Sequence, residues 1–65
     1  MYVEMIRVHS EAIAAIGYDG STLYVEFHNT GTYEHPHVPY SVYLGLMNAT
    51  SHGGYYNRHI RGKYK

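Results

Sequence analysis

The chain has 65 residues and a mass of 7.5 kDa, and its five basic and five acidic side chains cancel at pH 7. That length holds one domain, residues 1–65, and buries only about 60% of its unfolded surface, so a staple or a partner is expected to support the core. Absence of cysteine excludes disulfides and thiolate metal centres; no apolar run reaches the ~20 residues of a membrane span, and the charges of Glu4, Arg7 and Glu11 exclude a secretory signal, so a soluble cytoplasmic domain without a membrane partner is expected.

In chain order, residues 2–8 alternate poorly and allow a further strand or an arm. The next stretch, SEAIAAIG, fits a capped helix locally, with Ser10 as N-cap and Gly17 as stop. Asp19-Gly20, however, is a two-residue hairpin signal, because type I′ turns need positive φ at both central positions. A hairpin there requires strand on both sides, so AIAAIGY is assigned to strand. In TLYVEFH, Leu23, Val25 and Phe27 alternate with Tyr24, Glu26 and His28, the pattern of a half-buried strand. Asn29-Thr30-Gly31 fits a three-residue hairpin, which would set Phe27 opposite Tyr33 and Val25 opposite His35. A third strand over 32–37 ends at Pro36 or Pro39, which restricts it to an edge or a strand end.

Pro39 then reads as the first position of a helix, the apolar residues Val42, Tyr43, Leu46 and Met47 form its stripe along 40–49, and Gly53-Gly54 stops it. A short second helix over 55–61 points Tyr56 and Ile60 inward and Arg58 and Arg61 outward, with Tyr55 the more exposed of its tyrosines. The expected class is α+β: a three-stranded antiparallel meander, four-stranded if residues 2–8 pair, followed by one helix and a short C-terminal helix.

The composition is unusual in one respect. Nine tyrosines stand against one phenylalanine and no tryptophan, and only sixteen residues are Val, Ile, Leu, Met or Phe, so tyrosine must supply much of the core. IGYD at 16–19, VPYSVY at 38–43 and SHGGYYNRHI at 51–60 make the chain, over residues 8–64, resemble the KTSC domain, a family named for its place at the C-terminus of some lysyl-tRNA synthetases and found also as stand-alone small proteins. The resemblance implies an α+β domain of strand meander followed by helix, and the synthetase context suggests RNA binding. One position departs: where the family tends to carry Tyr-x-Tyr in its central strand, this chain has Tyr33-Glu34-His35, and histidine offers less stacking area than tyrosine.

Charge is segregated along the chain. Residues 1–34 hold one cation against five carboxylates, residues 35–57 hold no Asp, Glu, Lys or Arg, and the last eight carry Arg58, Arg61, Lys63 and Lys65. Those cations, interleaved with aromatics from Tyr55 onward, suit a phosphate backbone with stacked bases. Ser51 and the glycines after it offer backbone amides to an anion, and Asn57 ties down the turn or joins the site. The leading expectation is therefore a non-enzymatic module that binds RNA or another nucleic acid. Arg58, Arg61, Lys63 and Lys65 would take phosphates, while Tyr55, with Tyr40 or His35, stacks on bases. The competing reading of the same residues is a solvated helix face compensating its own dipole.

Two other functions compete: a homo-oligomer that binds a nucleotide-like phosphate ligand at its subunit interfaces, and a protein-docking module whose tyrosines act as hot spots. His35-Pro36-His37 with His28 falls short of a structural metal site's usual four ligands, so no metal or cofactor is expected. No GxSxG, HExxH or P-loop pattern is present, and so no catalytic residue is assigned.

Overall fold

A computed structural model describes residues 3–64. Strands β1 (Ile6–Arg7), β2 (Ile13–Tyr18), β3 (Leu23–Phe27) and β4 (Gly31–His35) are followed by helices α1 (Tyr40–Asn48) and α2 (His52–His59). The strands form one antiparallel sheet in the order β1-β2-β3-β4, so the meander has its fourth strand. Both helices pack on one face of that sheet. The core between the layers is Ile13, Ile16, Leu23, Val25, Val38, Leu46, Tyr56 and Ile60. Fully burying each of these aliphatic side chains contributes about 1.5–3 kcal/mol.

The segment with helical local signals is strand, as the hairpin requires. Ser10 supplies a cap without a helix: its hydroxyl accepts the amides of Ala12 and Ile13 at 3.3 and 3.2 Å, turning the chain into β2. A bulge between Ile13 and Ala15 sets Ile13 and Ile16 on the helix-facing side together. Gly17 lies inside β2, as the strand assignment requires, and a Cβ there would run into the Met5 side chain.

Both hairpins are displaced from their expected positions. Tyr18 pairs with Leu23, and the Asp19 amide donates to the Thr22 carbonyl at 3.2 Å, so the central pair is Gly20-Ser21 and not Asp19-Gly20. Gly20 has φ +100°, and the Asp19 carboxylate accepts the amides of Ser21 and Thr22 at 2.9 and 2.7 Å. Thus aspartate acts through its side chain, and only the glycine takes positive φ. In the second hairpin Phe27 pairs with Gly31 and Val25 with Tyr33, so every partner lies two residues earlier than the turn signal implied. Gly31, at φ +95°, is already in the strand. A two-residue displacement keeps each side chain on its own face.

β4 ends at His35, ahead of Pro36, and does not run on to 37. His37 turns the chain with φ 58°, after which the Val38 amide reaches the Ser21 carbonyl at 2.8 Å. Pro39 is the N-cap of α1 and not its first helical residue. α1 stops at Asn48, before the two glycines, because Ala49 is extended. Gly53 and Gly54 form the first turn of α2, which therefore starts three residues earlier than expected. Ser51 makes this possible: its hydroxyl accepts the Gly54 amide at 3.1 Å.

Candidate functional site

Tyr56 and Ile60, four apart, point into the core, which leaves Asn57, Arg58 and Arg61 on the outside of α2 and the turn after it. That turn closes on the helix end. The amides of Ile60 and Arg61 both donate to the Tyr56 carbonyl, at 3.0 and 2.9 Å, and Gly62 reverses direction with φ +77°. Arg61 is thereby fixed to the residue whose ring lies beneath it.

Beside Arg61, between α2 and the β4 edge of the sheet, is an open cleft of about 190 Å³ lined by Phe27, Thr30, Tyr33, Tyr56, Asn57 and Arg61. Register makes the space. Gly31, directly across from Phe27, contributes no side chain, and a Cβ there would meet nothing within 4 Å. The Tyr33 ring, on the diagonal, meets Phe27 edge-to-face at 5.5 Å, and Tyr56 meets Phe27 from the helix side at 5.1 Å. Tyr33 is 48% exposed, Tyr56 only 6%. Burial pushes the Tyr56 phenol up, with the Arg61 guanidinium opposing it. One cation and no carboxylate line the cleft.

The expected site residues divide. Asn57 and Arg61 line the cleft, and Arg58 and Lys63 are exposed close by in sequence. Among the described residues no carboxylate lies within 4.0 Å of these cations. Lys65 lies outside the described residues. Ser51 is at the other end of α2, roughly 12 Å away along the axis, where its hydroxyl is spent on the cap. The pocket there also contains Glu11, which repels an anion.

Tyr55 is not a free stacking platform. Its hydroxyl packs on Gly45 of α1, and His59 covers its ring at 4.4 Å. Tyr40 is 60% exposed, but it sits with Tyr18 at the Leu23 end of the sheet, away from Phe27.

His35 is in the core, 8% exposed, so a base has no ring face to reach. Its Nδ1–H donates to the Tyr64 carbonyl at 2.7 Å, and Nε2 accepts from the Tyr56 hydroxyl at 2.8 Å. A carbonyl only accepts, which assigns the proton to Nδ1 in the neutral ring. At the departure from Tyr-x-Tyr, histidine is thus a tie between β4, α2 and the basic tail. His28 bonds the Ser10 carbonyl through Nε2, and among the described residues no three His, Asp or Glu side chains gather as metal ligands.

Sequence reading missed Phe27, Thr30 and Tyr33 as site residues. The available signal was that Phe27 and Tyr33 fall on one face next to a turn. No described helix is long and apolar enough to cross a membrane.

No curated protein matches this chain. Among solved structures, the crystal structure of a KTSC domain protein from Yersinia pestis is similar, with a TM-score of 0.95 and 32% identity, covering 98% of this chain and 93% of that one. The KTSC domain profile matches residues 9–64, nearly the whole described length. With strands, helices and that match in agreement, the chain belongs to the KTSC domain family.

Proposed function

We propose that the protein is a non-enzymatic module that binds RNA or another nucleic acid along the outer face of α2. The observation carrying this reading is a set of cations, Arg58, Arg61 and Lys63, free of carboxylate partners among the described residues and adjoining an aromatic cleft. Phosphates rest on these three cations, and bases meet the rings. The outer face of the sheet carries Glu26 and Glu34, so the polyanion approaches from the helix side.

Binding to a mixed-sequence RNA, followed by fluorescence anisotropy across a salt series, tests this. Three phosphate contacts predict a slope of log affinity against log salt of about −2 for a single strand, losing about 0.7 with each cation replaced by glutamine. Undetectable affinity at about 50 mM salt, or a slope near zero, overturns the reading. The same charge separation between sheet face and helix face favours a second reading, head-to-tail self-association around a phosphate ligand. It predicts oligomers in sedimentation at high micromolar concentration, and a monomer throughout dismisses it.

A further inference from the structure

We infer that the cleft between β4 and α2 takes a single unpaired base of a single-stranded nucleic acid, with the neighbouring phosphate on Arg61. This inference rests on the nucleic-acid reading above and narrows its substrate. Three observations select the ligand. The half-exposed Tyr33 ring and the Phe27 ring it meets edge-to-face line the cleft, with the buried Tyr56 beneath them, and such rings attract a flat π-system. Asn57 presents an amide donor and acceptor and Thr30 a hydroxyl, the groups that meet a base edge. Arg61 is the one charge in the lining, so the ligand carries its negative charge at the cleft's rim.

The size of the cleft separates a polymer from a free small molecule. About 190 Å³ falls short of the roughly 300–1,000 Å³ of pockets that enclose a whole small ligand. One ring system fits, and the rest of its molecule must lie outside. Outside are Arg58, three residues before Arg61 in the last turn of α2, and Lys63, two residues beyond it, both exposed. A strand whose base enters the cleft therefore runs its flanking phosphates past both cations. A base paired in a duplex is stacked on both sides and cannot enter without leaving the helix. Single strands are preferred for that reason, and ribose and deoxyribose versions share the chemistry.

The test compares the full chain against a labelled single-stranded RNA, the DNA strand of the same sequence, each in duplex form, and the corresponding nucleoside monophosphate. Single strands of at least one sugar should bind at least 10-fold tighter than duplex or monophosphate. Tyr33→Ala should weaken single-strand binding about 5-fold or more while leaving the salt slope unchanged. Tyr33→Phe, which keeps the ring, should bind like the parent chain. Tyr33 is half exposed, so its replacement costs the edge-to-face contact with Phe27 and leaves the chain folded without denaturant, checked by an unchanged circular dichroism spectrum under the binding conditions.

Equal affinity for duplex and single strand, or a Tyr33→Ala variant that binds normally, overturns the inference while leaving salt-dependent binding on α2 intact. A monophosphate that binds as tightly as the strand overturns it in favour of a free nucleotide. No binding of any nucleic acid ends both readings together.

Discussion

Replacing His35 by phenylalanine tests the tie that holds the site together. His35 is 8% exposed and joins the Tyr64 carbonyl at 2.7 Å to the Tyr56 hydroxyl at 2.8 Å. Its loss orphans a phenol that is itself only 6% exposed, costing about 1–3 kcal/mol, and a half-buried carbonyl, costing about 1 kcal/mol more. The expected loss is about 2–4 kcal/mol from a chain whose total stability, by length, is on the order of 3–10 kcal/mol. With a urea m-value near 1 kcal/mol/M, the midpoint should fall by about 2–4 M. Strain from the larger ring contributes to the same fall, so the single variant does not isolate the hydrogen bonds.

A double-mutant cycle with Tyr56→Phe does isolate them, because ring strain is common to His35→Phe and the double variant and cancels. Removing the phenol hydroxyl in the parent chain leaves Nε2 without its donor; removing it beside Phe at 35 relieves an orphan. Tyr56→Phe should therefore cost stability in the parent and restore about 1–2 kcal/mol in the His35→Phe background. Equal effects in both backgrounds would refute the tie. Amide exchange gives a second readout: Lys63 and Tyr64, whose amides bond the Ile60 carbonyl, should exchange faster once the Tyr64 carbonyl is released.

Three further outcomes follow from single contacts. Gly45→Ala should destabilise the protein by about 1–3 kcal/mol in thermal melts, against the gain of about 1 kcal/mol that alanine brings to an open helix position, because its Cβ would collide with the Tyr55 ring. With Tyr55→Ala also present, the same substitution should stabilise. Ser51→Ala should cost about 1 kcal/mol through the lost cap while leaving nucleic-acid affinity unchanged, which separates capping from anion binding. The amides of Thr22 and Ser21 hold the Asp19 carboxyl below its ordinary 3.8. The native state then binds fewer protons than the unfolded one, so this stabilisation is present above pH 3.8 and fades as the pH falls through the lowered value. Asp19→Asn should flatten the acid limb of urea midpoint against pH.

What the sequence made legible was the facing of side chains. Alternation assigned Leu23, Val25 and Phe27 to one side irrespective of a register two residues off, since a displacement of two preserves the face. Tyr56 and Ile60 pointed inward although α2 begins at His52 and not at 55, because lengthening a helix at its start does not rotate its later residues. What it hid was set by distant partners. Tyr55 looked free because nothing near it in sequence announces Gly45, the only residue type at that position that leaves room for its ring. His35 looked like surface because its two hydrogen-bond partners come from residues 56 and 64.

Those distant partners also determine what the cleft can do. Had the second hairpin turned where its residues suggested, Tyr33 would stand directly opposite Phe27 and cover it; with Gly31 there instead, the floor is open. The walls are held before any ligand arrives. His35 fixes the Tyr56 phenol, and the Tyr56 carbonyl fixes the Arg61 backbone. The exposed side chains of Arg61, Tyr33, Asn57 and Thr30 remain to be ordered on binding, at roughly 0.5–1.5 kcal/mol for each one immobilised. A stacked base contributes about 1–3 kcal/mol. Because that gain does not exceed the ordering cost, a lone base is held weakly, and useful affinity requires the phosphates on either side to engage Arg58 and Lys63 at the same time.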